Sequence, residues 1–104
     1  MSDRAQAARD YVAKKPTDRF GLFTLAMELR KLKLWDESFA AWETLAEHHP
    51  TYGAGYYHHA MTRRESGDRA GCLEVLKRGL PACAASGDNH TAAEIESAID
   101  EMEG

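Results

Sequence analysis

Apolar residues return every three or four positions along most of this chain, the spacing that turns one side of an α-helix toward a core. Leu22, Leu25, Ala26 and Leu29 form the clearest stripe, Tyr56 and Ala60 begin a second, and Cys72 and Leu76 continue it on the next segment. The pattern predicts five or six helices and no strand. An opening helix over residues 2–14 has Ser2 placed to cap it and Ala5, Ala8 and Val12 as a weak stripe. Pro16, Thr17 and Asp18 stop it and restart the chain, because proline cannot donate and Thr or Asp can accept from first-turn amides. A hairpin of helices follows at about 19–31 and 36–48, with a turn at 32–35 and Pro50 at its exit. The second hairpin covers about 52–66 and 69–85, with Gly67 ending one helix at positive φ and Asp68 capping the next. Pro81 lies inside that last segment, where it deletes a hydrogen bond to residue 77 and crowds Leu80, which predicts a kink or an early end. After a break at 86–89, a final helix over 91–102 puts Ile95, Ile99 and Met102 on one face.

The stripes also repeat at long range. Leu22-x-x-Leu25-Ala26-x-x-Leu29, with Ser38-x-x-x-Trp42 and Pro50, is answered 34 residues later by Tyr56-x-x-His59-Ala60-x-x-Arg63 and Cys72-x-x-x-Leu76. Ala26, Ser38, Ala60 and Cys72 are small where the helices of a hairpin must cross closely, and Leu22, Trp42, Tyr56 and Leu76 fill the space between turns. A third copy reads His90-x-x-Ala93-Glu94-x-x-Ser97, a poor match of the kind a terminal cap gives.

On these residues the chain resembles the tetratricopeptide repeat family, and in particular its short bacterial members with two repeats and a terminal helix. The resemblance covers about residues 18–102 and implies an all-α fold, a short right-handed α-solenoid of helical hairpins with terminal capping helices. It implies an N-terminal capping helix and linker over 1–17 and a repeat domain over 18–104. Within that domain, repeat one covers about 19–50, repeat two about 53–85 and a C-terminal capping helix about 88–102. Three residues depart from the family pattern. Lys33 stands where a turn glycine is usual, which predicts a looser or shifted first turn. His59 and Arg63 replace apolar packing residues, which predicts weaker burial, with Arg63 running along the core to an acid such as Glu94.

Composition narrows the function. The 104 residues are 43% hydrophobic and 29% charged, enough for one small domain with a thin core. A net charge of -4 with no basic cluster argues against a nucleic-acid partner. No apolar stretch reaches membrane-spanning length and no secretory signal opens the chain, so a reducing cytoplasm is expected and no membrane association. Cys72 and Cys83 lie eleven residues apart on one expected helix, about 16 Å along its axis, beyond disulfide reach. From Asp88 onward there are six acids and no Lys or Arg, a solvated cap or a contact for a basic partner.

The resemblance places function on the groove lined by the first helix of each hairpin. There Phe23, Met27 and Arg30 form a second stripe that Tyr57, Met61 and Arg64 repeat one period later. An aromatic, a methionine and an arginine in register make an apolar shelf with a cationic edge, suited to a peptide or helix with apolar anchors and acidic flanks. Phe20 extends the shelf, and His58 stands beside Tyr57. The same stripe also fits a covering segment of the chain itself or a homodimer, which leaves a self-associating structural unit as the alternative to an adaptor. A Lys, Asn and Arg set of the carboxylate-binding kind does not occupy this face. His48-His49 and His58-His59 are adjacent pairs, which point about 100° apart on a helix, so no metal is expected. No nucleotide-binding or hydrolase motif occurs, and neither an enzyme nor a cofactor is expected.

Overall fold

The computed structural model describes residues 3–104, so the expected cap at Ser2 lies outside the described residues. Six α-helices follow in order, with no strand among the described residues: α1 (Asp3–Lys14), α2 (Arg19–Lys31), α3 (Trp35–His48), α4 (Gly53–Glu65), α5 (Arg69–Ser86) and α6 (Asn89–Glu103). They fall into two compact units, one ending at His49 and the other beginning at Pro50.

In the first unit the α2 stripe of Leu22, Leu25, Ala26 and Leu29 is buried, as are Ala41, Trp42 and Leu45 of α3. Ser38 shows how close the hairpin crosses. Its fully buried hydroxyl donates to the Ala26 carbonyl across the helices at 2.9 Å. Asp18 caps α2 by accepting from the Gly21 amide at 2.8 Å. A β-carbon on Gly21 would lie 2.6 Å from the Tyr11 ring, so the absent side chain lets α1 lie against α2. Ala5 and Ala8 are the buried residues of α1, and Arg9 ties that helix to α3 through a two-pronged pair with Glu37 at 2.7 and 2.9 Å. The guanidinium lowers the Glu37 carboxyl from its ordinary range.

The first turn is neither looser nor shifted. Lys33 adopts φ 60°, its amide donates to the Arg30 carbonyl at 3.0 Å, and the Leu34 amide donates to Leu29 at 3.0 Å. One period later Gly67 adopts φ 92°, its amide donates to Arg64 at 3.1 Å, and Asp68 donates to Arg63 at 2.9 Å. This paired closure satisfies the last carbonyls of a helix, and it depends on backbone geometry rather than on the residue at its centre. The lysine takes the left-handed conformation that glycine takes without cost.

In the second unit α4 and α5 pack through Ala60, Cys72, Val75 and Leu76, and α6 contributes Ile95 and Ala98 to the same core. Gly79 is the tightest point, because a β-carbon there would lie 2.7 Å from Ile95 and 2.9 Å from Tyr56. Pro81 neither ends α5 nor shortens it; the helix runs to Ser86. Pro81 is exposed and removes one hydrogen bond, whereas continuing buries Ala82 and Cys83 beyond it. Gly87 at φ 74° closes the helix instead, with Asp88 donating to the Cys83 carbonyl.

His59 is 2% exposed, so the polar substitution does not loosen the packing of α4. Arg63 meets it with an Nε–H donated to His59 Nε2 at 3.0 Å, which requires the imidazole proton on Nδ1. The other end of Arg63 pairs with Asp68 at 3.0 Å, not with Glu94. Asp68 lies in the turn five residues on, within easier reach than a side chain of another helix. Its carboxylate also caps α5 by accepting from the Gly71 amide at 2.9 Å, and that bond, with Arg63, lowers its pKa.

Candidate functional site

Tyr57, Met61 and Arg64 project from α4 at the spacing of one helical face, and α6 faces them. Between the two helices lies a cleft of about 490 Å³. Tyr57 is half-buried and Met61 is buried at 6% exposure, so the methionine forms floor rather than an exposed shelf. Small residues Ala93, Ser97 and Ala98 of α6 leave room opposite them. His90, Glu94 and Glu101 edge the same wall. The cationic rim is therefore answered across the cleft, where Arg64 lies 3.9 Å from Glu101, and along the α6 wall His90 lies 3.9 Å from Glu94 one turn on. Arg64 and Glu101 are exposed enough for water to screen their pairing, so each is available for exchange with an incoming charge.

The matching trio of α2 has a different setting. Phe23 is half-buried with its ring edge-on to Trp42 of α3, centroids 5.2 Å apart. Leu76 stands in the place of Trp42 one period later and offers no ring, so Tyr57 meets the imidazole of His58 edge-on at 5.4 Å and opens to the cleft. Met27 and Arg30 are half-buried, with Arg30 reaching the Met27 sulfur at 3.9 Å. Phe20, 72% exposed, lines a second cleft, between α1 and α2. His58 is half-buried and is not part of the α4–α6 lining.

The α6 wall is what the sequence reading missed, since that helix reads as a cap. Its signal was present in the degenerate third copy, whose His90, Ala93, Glu94 and Ser97 are four of the residues that line the cleft. Contacts with basic side chains of α5 also hold α6 in place. Lys77 of α5 pairs with Glu103 at 3.0 Å, and Arg69 donates to the Met102 carbonyl. Asp88 caps α6 at the Thr91 amide, and its pKa is lowered by bonds to the Thr91 side chain and amide.

Among the described residues no group of three or more His, Cys, Asp or Glu side chains is placed to hold a metal ion. No described helix is long and apolar enough to cross a membrane. Cys72 and Cys83 are buried free thiols, both with pKa raised by burial.

No family model and no curated protein sequence matches the chain. Solved structures match its fold. The TPR2B-domain:pHsp70 complex of yeast Sti1 gives a TM-score of 0.83 at 22% identity, over 94% of this chain and 78% of that one. The solution structure of a Bordetella parapertussis protein gives 0.78 at 20% identity, over 98% and 89%. The chain thus has the all-α fold of a tetratricopeptide-repeat domain.

Proposed function

We propose that the chain is a non-catalytic, cytoplasmic adaptor that binds a peptide or helix of a partner protein, with the α4–α6 cleft as its main contact. The observation that carries this reading is an amphipathic cleft of about 490 Å³ with Tyr57 and Met61 as its apolar surface and Arg64, Glu94 and Glu101 on its rim. Aromatic and methionine anchors with exchangeable charges suit a short segment better than a small substrate. The Sti1 domain of like fold is seen in complex with pHsp70, which supports a protein segment as the ligand. The acids of α6 amend the expected ligand: apolar anchors remain, but the flanks carry both signs, a base toward Glu94 and an acid toward Arg64. The α2 residues Phe23, Met27 and Arg30 are a secondary contact in this proposal. Two buried free thiols fit a reducing compartment.

Because Met61 is buried, a charge there would test folding rather than binding. Tyr57→Ser with Arg64→Ser is the better variant. After matching its helicity to wild type, proteins captured from native extract by each chain are compared, and the retained partner is purified and remixed. Loss of binding in the variant, with hydrogen-exchange protection of α4 and α6 by the partner in wild type, is expected. Equal capture by both chains would remove the cleft from the function.

A further inference from the structure

The first unit carries a surface that the adaptor reading does not use. Between α1 and α2 lies an almost wholly apolar cleft of about 360 Å³, at the low end of the roughly 300–1,000 Å³ of ligand pockets and ample for one aromatic ring. Its floor is made of small residues, Ala7, Ala8 and Thr24. Tyr11 lies on Gly21 at one end. The antiparallel run of the two helices then brings Arg4 to the level of Glu28 at the other. On its rim, as part of the lining, stands Phe20, at 72% the most exposed large apolar side chain among the described residues.

We propose that this face pairs with the same face of a second copy of the chain, each Phe20 entering the cleft of the other. A two-fold interface must be self-complementary, and a knob and a hole on one surface meet that condition, since the rotation puts each over its counterpart. The ring then lies along the small-residue floor toward Arg4 of the other copy, where a guanidinium over an aromatic face is attractive. Net charge does not oppose a like partner on this unit, as it does on the other. Residues 1–49 carry eight Lys and Arg against eight Asp and Glu, whereas residues 50–104 carry five against nine. Two copies meeting through the second unit repel; two meeting through the first do not. Nothing here depends on the α4–α6 cleft, so either proposal stands if the other fails.

Sedimentation equilibrium of the full chain between about 10 μM and about 1 mM tests the pairing, a range suited to a small interface. The wild-type mass is expected to rise from monomer toward dimer with concentration. Phe20→Ser, at an exposed position, keeps the melting temperature and weakens the dimer at least about tenfold, the scale of burying one aromatic ring. Ala7→Gln leaves the knob and fills the hole, and weakens it as well. A wild-type chain that is monomeric at about 1 mM overturns the proposal, even where Phe20 then proves to bind a different protein. A dimer indifferent to both substitutions overturns it too.

Discussion

Lys33 holds at φ 60° the place that Gly67 holds at φ 92°, and a β-carbon in that conformation crowds the following carbonyl at a cost of about 1–2 kcal/mol. Lys33→Gly relieves this but gives the unfolded chain a freer residue, so a net gain of about 0.5–1 kcal/mol is expected. Gly67→Ala moves the other way, by about 1–2 kcal/mol. Denaturant midpoints measure both, and for Lys33 the reporter is already in place, since Trp35 and Trp42 both lie in the first unit. Unchanged midpoints would mean that the turn relaxes without its left-handed residue. Ser38→Ala leaves the Ala26 carbonyl buried without its donor, with an expected loss of about 1 kcal/mol. An intact midpoint there would mean that the carbonyl finds another donor.

At the scale of helices, Gly79 governs how α5 meets both of its neighbours. Gly79→Ala forces a methyl group against Ile95 and Tyr56 and is expected to cost about 1–3 kcal/mol, typical of overpacking. Faster amide exchange in α6 than in α4 would follow, because α6 can move out to make room; uniform exchange would mean that the core absorbs the methyl. Which segments became helices was legible in the sequence, because periodicity and breaking residues act locally: α2 starts and stops where the Leu22 stripe and Asp18 place it. The early end expected at Pro81 does not occur, because local propensity is outweighed by the burial of Ala82 and Cys83 just beyond it. The site was half legible. Spacing put Tyr57, Met61 and Arg64 on one face, but only the packing of α6 tells that Met61 is floor and that Glu101 answers Arg64. Phe23 and Tyr57 read alike as letters and differ through a third residue, Trp42 or Leu76, that lies on another helix.

At the scale of the molecule, its acids set the pH response. Glu37, Asp68 and Asp88 all have folded pKa values lowered by bonds to Arg9, to the Gly71 amide and Arg63, and to Thr91. A lowered folded value means that the stabilisation is whole above the unfolded carboxylate range, near pH 4, and is lost as pH falls through the folded values. The melting temperature is therefore expected to be flat from about pH 7 to about pH 5 and to drop below that. Asp68→Asn, which cannot ionise, melts lower than wild type at neutral pH and converges with it in acid. A constant gap at every pH would assign the loss to shape rather than charge. The two turns at Lys33 and Gly67 make the same pair of backbone bonds 34 residues apart, and that agreement sets a rule for lengthening the chain. A tandem copy of residues 35–68 joined after Asp68 would reproduce both closures unaltered, whereas a copied segment of another length would put the wrong residue at the left-handed position. Growth by whole periods is thus the cheap route for duplication in a gene of this kind, and a direct one for an engineer adding a binding surface.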